Sequence, residues 1–496
     1  MPIFTDARAV PEGSAVETDL AIIGAGPAGI TLALSLAGAP IRVLLLESGG
    51  GEYEPATQAL YKGGETGVRY LPLDACRLRF LGGSSNHWGG WCRPLDESDF
   101  EKRAWLAHSG WPFTRAEIAP YFSRAQALVE AGAPIYDGLK DRIGDQIPLG
   151  AGGVYTSYFQ FSKTRHDVTP TAFGERYGAD LRRIANLQLM EHANVTGLRL
   201  AHDAKSLDRL EIATLAGNTF TVKPKYAVVA AGGIETARLL LASNDVMKTG
   251  AGNANDLVGR FFADHAIPRN TATMVLFGGK IAPYYKTTVD VTGVHMRATF
   301  SPTEEFKRER QVLGSLATVE QHVELDALGK AAVAETASAL GVDAGNARAF
   351  SLGCGIELAP DPERRFTLTN ERDALGMPRL QLNMTISDAD FARYRATIKE
   401  LGRQLLAAKS GMIRLDRRTR EEWLSVMDWG NHHMGTARMH DDPRKGVVDA
   451  NSQVHGISNL YVAGSAVFPT YGSSNPTMNL VALTLRLADH LKQVFR

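Results

Sequence analysis

Cysteine is scarce in this chain of 496 residues, which contains only Cys76, Cys92 and Cys354. Three scattered thiols are too few for a disulfide framework or a zinc site, and such a composition fits a reducing compartment. We therefore predict a cytoplasmic protein whose cysteines pack in the interior and whose functional site contains no metal.

Net charge is absent as well, because 54 Lys and Arg residues balance 54 Asp and Glu residues. No overall field would attract nucleic acid or an anionic membrane. No apolar run approaches the roughly 18 to 20 residues that a membrane helix needs. Residues 1–19 lack the basic start and apolar core of an export signal. We expect no nucleic-acid partner and no membrane partner.

Glycine, in contrast, is abundant, with 49 residues in a chain that is 44% hydrophobic and 22% charged. This composition is typical of a globular α/β protein with many tight turns. At roughly 150 residues per domain, the length predicts two or three domains.

Residues 19–47 contain a strand, a glycine turn, a helix and a second strand, in the order DLAIIGAG, PAGITLALSLAG and IRVLLLES. Gly24, Gly26 and Gly29 form GxGxxG where the first strand meets the helix. The first glycine permits the turn, the second lets the backbone approach a pyrophosphate, and the helix N-terminus stabilises its charge. Glu47 ends the second strand and suits a ribose hydroxyl pair. The unit predicts a bound dinucleotide, and by itself leaves FAD and NAD open.

Residues from about 267 to 428 have a different pattern, with alternating strands such as RFTLTNE and RLQLNMTIS and a helical insertion around residues 326–340. Alternation of this kind predicts an antiparallel sheet with one face on a core. The chain then ends in a buried strand, NLYVAGSA, and a long helix with an apolar face. That last strand resembles one that many flavoproteins place against the flavin, which favours FAD.

Several motifs recur in an order that gives the chain a family resemblance. They are GAGPAG, LGGSSNHWGG, GWPFTRAEIAPYFSRA, VVAAGGIETARLLLAS, DLVGRFFADH, NHHMGTARM and NLYVAGSAVFPTYGSSNPTMNLVALTLRLADHL. With them the chain resembles the glucose-methanol-choline (GMC) oxidoreductases along nearly its whole length. Within that family, SNHW and SNPT look closest to pyranose oxidases, bacterial glycoside oxidases and the flavin subunits of fructose dehydrogenases.

The resemblance implies an α/β fold with a Rossmann-like FAD-binding domain and a second, α+β substrate domain that contains an antiparallel sheet. The FAD-binding domain would comprise residues 1–105, 187–266 and 429–496. The substrate domain would comprise residues 106–186 and 267–428. We expect the active site at their junction.

Oxidation of an alcohol requires a base for the hydroxyl proton, and histidine is the usual choice. The family's active-site histidine lies three residues before the glycine of NHHMGTARM, which makes it His432. The family's second residue, histidine or asparagine, corresponds to Asn475. It would orient the alcohol and begin the last helix as an N-cap before Pro476. For His433 we expect a side chain directed to the interior.

Cofactor contacts also follow from the resemblance, and the residues concerned are Gly83, Ser84, His87, Val195, Gly464 and Thr477. His87 aligns with the histidine that is bonded covalently to the flavin in pyranose oxidases, while Gly89 replaces a threonine found near the flavin there. A covalent link and a plain contact at His87 therefore both stay open. We expect Asp264 and His265 to be structural and to frame an entrance between the domains.

The function implied is FAD-dependent oxidation of a secondary hydroxyl of a sugar or glycoside to a ketone, with oxygen or another acceptor reoxidising the flavin. One alternative is a non-sugar alcohol, sterol-like or from secondary metabolism. Another is a flavin-binding or electron-transfer subunit without catalysis, against which the presence of both His432 and Asn475 argues.

Overall fold

The described part of the chain forms two large sheets and one small sheet, with helices packed around them. The computed structural model describes residues 4–136, 139, 144–162 and 170–496. The strands are β1 (Phe4–Asp6), β2 (Ala15–Ile23), β3 (Val43–Leu46), β4 (Gly64–Gly67), β5 (Trp91–Cys92), β6 (Val154–Phe161), β7 (Leu187–Glu191), β8 (Asn194–Leu200), β9 (Leu207–Ala213), β10 (Thr219–Val229), β11 (Ala266–Pro268), β12 (Ala272–Leu276), β13 (Thr288–Val289), β14 (His295–Pro302), β15 (Ser315–Val323), β16 (Arg348–Ile356), β17 (Arg365–Arg372), β18 (Pro378–Met384), β19 (Gly411–Leu415), β20 (Met427–Trp429) and β21 (Leu460–Val462).

The α-helices connect these strands and cover their faces. They are α1 (Pro27–Ser35), α2 (Pro55–Gln58), α3 (Glu97–Phe100), α4 (Arg115–Ile118), α5 (Phe122–Leu128), α6 (Phe173–Leu181), α7 (Gly232–Ala242), α8 (Glu304–Arg310), α9 (Ala327–Leu340), α10 (Asp388–Ala407), α11 (Arg420–Ser425) and α12 (Pro476–Val494).

The first large sheet is built around the predicted βαβ unit. Its eight strands follow the order β1-β7-β3-β2-β10-β9-β8, and β21 pairs with β10. Strands β2 and β3 are parallel, with Leu20 opposite Val43 and Ile23 opposite Leu46. Every residue of β3 is buried, as expected for a parallel strand covered on both faces. The Rossmann-like half of the predicted α/β fold is confirmed.

The second large sheet contains ten strands, and its main path runs β19-β12-β16-β15-β14-β6-β5. Its pairs along this path are antiparallel, for example β14 with β6, where Met296 lies opposite Gln160. Helix α10 packs against this sheet and buries Leu401 and Leu405 in an apolar core that is separate from the core around the parallel sheet. The predicted α+β region with an antiparallel sheet is confirmed.

The strand RFTLTNE, β17, pairs with β18 in a small third sheet, and β4 adds a parallel strand from the N-terminal part of the chain. Helices α4, α5 and α6 come from residues 106–186, yet their buried side chains belong to the same apolar core as the parallel sheet and α12. Packing thus joins these helices to the first sheet, and the domain limits proposed from the sequence stay a prediction.

Two helix starts lie where the sequence predicts them. Asp326 accepts a hydrogen bond from Gly329 N at the start of α9. Asn475 is the N-cap of α12, with Pro476 as the first helical residue. The last of these places a polar side chain at the edge of the functional site.

The three cysteines are buried free thiols. Among the residues that the structure describes, no helix is long and apolar enough to span a membrane. The same residues contain no group of three or more His, Cys, Asp or Glu side chains that could hold a metal ion.

Candidate active site

One cavity of about 350 Å³ runs from the glycine loop before α1 to the start of α12. Its wall includes nearly all the residues that the sequence assigns to the cofactor or to catalysis. They are Gly24, Gly26, Glu47, Gly83, Ser84, His87, Val195, His432, Gly464, Asn475 and Thr477. Residues scattered over four hundred positions are therefore brought to one site, and of the predicted set Gly29 alone is not part of the wall.

The three glycines of the GxGxxG motif meet different constraints. Gly24 has a φ of +103°, and a Cβ there would lie 2.8 Å from Ala230 O. Gly26 caps α1, and no heavy atom lies within 4 Å of where its Cβ would be. A Cβ on Gly29 would lie only 1.9 Å from Gly24 O, so this glycine allows the helix to pack against the loop. Open space at Gly26 leaves room for a ligand to approach the backbone.

Glu47 is buried at the end of β3 and holds the glycine loop in place. Its Oε2 accepts a hydrogen bond from Ala25 N at 2.9 Å, and its Oε1 accepts one from Gly49 N at 2.9 Å. Carboxylates with two backbone donors are strongly oriented. The residue that the sequence assigns to a ribose thus also fixes the loop that precedes α1.

A second glycine turn, LGGSSN, packs on the first. Gly82 and Gly83 both have positive φ, and a Cβ on Gly83 would lie 3.2 Å from Gly26 Cα. Ser84 Oγ accepts a hydrogen bond from Leu78 N at 3.2 Å. The His87 side chain, at the end of this turn, is exposed in the cavity. The turn therefore places His87 on the cavity wall and steadies it through backbone packing.

A buried cluster of arginines borders the same cavity and was not recognised from the sequence. Arg77 and Arg79 each bind the Glu235 carboxylate at 3.1 Å, and the Arg77 guanidinium lies 3.7 Å from the centre of the Tyr61 ring. Burial alone would raise the pKa of Glu235, but Arg238, Arg79 and Arg77 lower it to about 2. The cluster carries excess positive charge on the wall of this cavity.

His432 lies at the opposite end of the cavity, just after β20, and three hydrogen bonds fix it. Its Nδ1 is 2.8 Å from His265 Nδ1, and its Nε2 is 2.9 Å from Asn475 Nδ2. Its backbone N donates to Asp264 Oδ1 at 2.8 Å. Burial lowers the pKa of His432 well below its usual value, and His265 and His433 lower it further. The imidazole is therefore neutral near pH 7.

Asp264 and His265 do not frame an entrance, because both are buried directly beneath His432. Tyr70 Oη donates to Asp264 Oδ2 at 2.6 Å, and His265 Nε2 lies 2.9 Å from Gly472 O. Burial raises the pKa of the Asp264 carboxyl to about 7 and lowers the pKa of His265 to about 4. The hydrogen bond between Tyr70 and Asp264 could not be predicted from the sequence, because the two residues lie 194 positions apart. The sequence does contain one relevant signal, which is the pair of adjacent titratable residues within the apolar segment FFADHA.

Asn475 begins α12 as predicted, but its side chain does not cap the helix. The amide is directed to His432 Nε2, and its own backbone O accepts a hydrogen bond from Asn479 Nδ2 at 3.1 Å. Asn479 also bonds Arg93 O and Leu95 N, which ties the start of α12 to the segment after β5. The catalytic candidate Asn475 is thus held by a neighbour one helical turn further on.

His433 lines the cavity but turns toward the interior, as expected from the sequence. Its ring lies 6.1 Å from the Phe262 ring, and its buried Nε2 has no hydrogen-bond partner among the described residues. Burial lowers the pKa of His433 to about 3. It lacks the ordered contacts that orient His432.

The geometry provides a neutral imidazole whose Nε2 contacts an amide donor on the cavity wall. A hydroxyl that replaced this contact could give its proton to His432 and accept a hydrogen bond from Asn475. The other end of the cavity provides a helix N-terminus, a backbone open at Gly26 and nearby arginines, which suits a dinucleotide phosphate.

Comparison with known proteins agrees with this geometry. The GMC oxidoreductase family model matches residues 360–484. The fructose dehydrogenase large subunit of Gluconobacter japonicus is 30% identical over 275 residues, which cover 54% of this chain and 47% of that subunit. The chain therefore matches about half the length of that relative.

Two further relatives match over longer stretches. The 2-methyl-1,2-propanediol dehydrogenase of Mycolicibacterium austroafricanum is 24% identical, covering 97% of this chain and 96% of its own. The C-glycoside 3-oxidase of Microbacterium trichothecenolyticum is 26% identical, covering 88% and 80%. Among solved structures, a formate oxidase superposes with a TM-score of 0.62 at 18% identity over 98% of this chain and 99% of its own, which shows a shared fold.

Proposed function

We propose that the chain is a GMC oxidoreductase acting on CH–OH groups, that it binds FAD in the cavity and that it oxidises a hydroxyl of a sugar or glycoside. The observation that carries the proposal is the contact of His432 Nε2 with Asn475 Nδ2 at 2.9 Å on the wall of a cavity that also contains the GxGxxG loop. The proposed base, the amide that would orient the alcohol and the nucleotide-binding loop therefore line one cavity.

The residues present fit FAD. Gly26 leaves the space that a pyrophosphate needs at the start of α1, and the positive end of that helix would stabilise its charge. Glu47 would bind a ribose, and Val195 lines the same cavity. Gly464, Thr477 and His432 line it as well, so one cavity joins the glycine loop to the catalytic candidates.

Bound FAD would supply the acceptor for the hydride that leaves the carbon of the alcohol. His432 would take the hydroxyl proton at Nε2, since a neutral imidazole has a lone pair there. Asn475 would donate from Nδ2 to the substrate oxygen and hold it beside that lone pair. The N-terminus of α12 directs its positive end toward the same region and would stabilise negative charge there. Oxygen or another acceptor would complete the cycle.

The substrate class rests on relatives and on the cavity wall. Fructose dehydrogenase and C-glycoside 3-oxidase are named for sugar substrates, and Trp88 and Trp91 are among the residues that line the cavity. A non-sugar alcohol is the second candidate, because a propanediol dehydrogenase matches nearly the whole chain.

His87 is the residue through which a covalent cofactor bond would form. Its side chain is exposed on the cavity wall, so both a covalent link and a plain contact fit its position. Acid denaturation of the purified protein separates the two. Flavin that stays with the polypeptide, and is released in His87→Ala, indicates the link; free FAD in the supernatant of the parent protein indicates the contact.

Anaerobic mixing tests the proposed activity without assuming an acceptor. The purified protein is mixed without oxygen with a panel of sugars, glycosides, diols and simple alcohols, and the flavin absorbance is followed. We expect bleaching by at least one sugar or glycoside at millimolar concentration. Bleaching by diols or simple alcohols only would favour the second candidate, and a purified folded protein that takes up no FAD would refute the proposal.

A further inference from the structure

The hydrogen bonds around His265 determine which of its nitrogens carries a hydrogen. His265 Nε2 lies 2.9 Å from Gly472 O, and a carbonyl oxygen can only accept. His265 therefore has its hydrogen on Nε2. The ring is 3% exposed, and burial holds its pKa at about 4, so it is neutral near pH 7. Its Nδ1 must then present a lone pair.

That lone pair determines the tautomer of His432. The two Nδ1 atoms are 2.8 Å apart, a hydrogen-bond distance at which one nitrogen must donate. Since His265 Nδ1 accepts, His432 Nδ1 donates. The remaining nitrogen of His432, Nε2, is left with its lone pair directed at Asn475 Nδ2, 2.9 Å away. A chain of bonds from Gly472 O to Asn475 thus has one consistent direction.

We propose that His265 is a positioning residue that holds His432 in the Nδ1–H tautomer, so that Nε2 carries the lone pair that would accept the proton of the alcohol. This inference rests on the proposed role of His432 as the base. Asp264 completes the arrangement. Its Oδ1 accepts a hydrogen bond from His432 N at 2.8 Å, and its Oδ2 accepts one from Tyr70 Oη at 2.6 Å.

The role of His265 differs from that of a carboxylate partner. A neutral imidazole accepts from His432 Nδ1–H without adding negative charge, so it sets the tautomer and leaves His432 easily deprotonated. When His432 takes a proton at Nε2, the Nδ1–H bond to His265 becomes charge-assisted and stronger. His265 thereby stabilises the protonated state of His432 that follows proton transfer.

Two substitutions separate positioning from packing. In His265→Asn the amide oxygen lies near the former Nδ1 and can accept from His432 Nδ1–H. His265→Leu has similar bulk and no acceptor. Both leave Gly472 O without its donor, so their difference reports the contact with His432 alone. In the leucine variant His432 is free to place its hydrogen on Nε2, with the Asn475 amide turned to accept it.

The direct measurement is the tautomer itself. The flavin-loaded protein is labelled with ¹⁵N-histidine, and long-range ¹H–¹⁵N correlations are recorded for its 13 histidines; the signals lost in His432→Gln identify His432. We expect the Nδ1–H form in the parent and in His265→Asn, and a shift toward the Nε2–H form in His265→Leu. An Nε2–H tautomer in the parent protein would overturn the proposal, whatever the variants do.

Anaerobic flavin reduction supplies the functional measurement, with the sugar or glycoside that bleaches the parent protein. We expect His265→Leu to reduce its flavin roughly 10- to 100-fold more slowly, with an apparent Kd for the sugar within about threefold of the parent, and His265→Asn to recover most of the rate. Equal slowing in both variants with an unchanged tautomer would show that His265 only packs. If the tautomer is as proposed but His432→Gln reduces flavin at the parent rate, the base assignment fails and the tautomer inference stands.

Discussion

Gly26 and Gly29 belong to the same motif, yet alanine should affect them in different ways. At Gly29 the new Cβ would lie 1.9 Å from the backbone oxygen of Gly24, with Gly24 C at 3.0 Å. Ordinary contacts of this kind begin above about 3 Å, so α1 would have to move by more than about 1 Å. At Gly26 nothing lies within 4 Å, so the chain itself would accept the methyl group.

The magnitudes follow from these distances. Overpacking against backbone costs about 1 to 3 kcal/mol or more, which outweighs the roughly 1 kcal/mol that alanine gains over glycine in a helix. Gly29→Ala should therefore lower the free energy of unfolding of the flavin-free protein by about 2 kcal/mol. Gly26→Ala replaces a favourable N-cap residue by an unfavourable one, which lowers the free energy of unfolding. It also makes the unfolded chain less flexible, which raises the free energy of unfolding, and the two effects should cancel to within about 1 kcal/mol. It should nevertheless abolish FAD uptake, because the methyl group occupies the space of the pyrophosphate.

The assay is urea unfolding of the flavin-free proteins together with the flavin absorbance per chain after incubation with FAD. Gly178→Ala is the matched control: it lies within α6, and its Cβ would touch only Leu81 Cδ2 at 3.8 Å. This control should be at least as stable as the parent and fully yellow. A Gly26→Ala protein that binds FAD normally, or a Gly29→Ala protein as stable as the parent, would refute the reasoning.

Two further predictions concern the catalytic end of the cavity. Burial raises the pKa of Asp264 to about 7, so the stability contributed by its protonated form is present in full below about pH 4 and is lost as the pH rises through about 7. Asp264→Asn stays neutral, and its free energy of unfolding relative to the parent should rise by up to about 4 kcal/mol between pH 4 and pH 8; parallel pH curves would contradict this. Asn475→Ala should both raise the apparent Kd of the substrate roughly two- to tenfold and slow anaerobic flavin reduction, because the amide contacts the hydroxyl before and during the reaction. Asn475→His, which keeps a donor, should recover part of both, and an alanine variant with unchanged binding and rate would refute the assignment.

Much of the fold could be predicted because the relevant signals are local. The βαβ unit combines a buried parallel strand, glycines at fixed spacing and a carboxylate at the end of β3, all within residues 19–47. The antiparallel sheet follows from alternation in its strands. In contrast, β4 joins β18 across more than three hundred residues, and no period or composition marks such a pairing.

The site was predictable where one motif contains the whole signal. His432, Asn475 and the glycine loop each lie in a recognisable segment, and the structure places them on one cavity wall. The support beneath His432 was misjudged, because the roles of Asp264 and His265 depend on contacts with His432 that only the tertiary fold creates, 168 and 167 residues away along the chain. Burial then changes the pKa of both, which no local pattern reveals.

The reduction of the flavin in His432→Ala tests the central claim most directly. A general base typically contributes about a hundredfold to ten-thousandfold in rate. In a stopped-flow experiment without oxygen, we predict that His432→Ala slows flavin reduction by at least a hundredfold, with little change in the apparent Kd of the substrate and partial recovery at high pH, where hydroxide can assist. The account is contradicted if His432→Ala reduces its flavin at nearly the parent rate while His433→Ala does not.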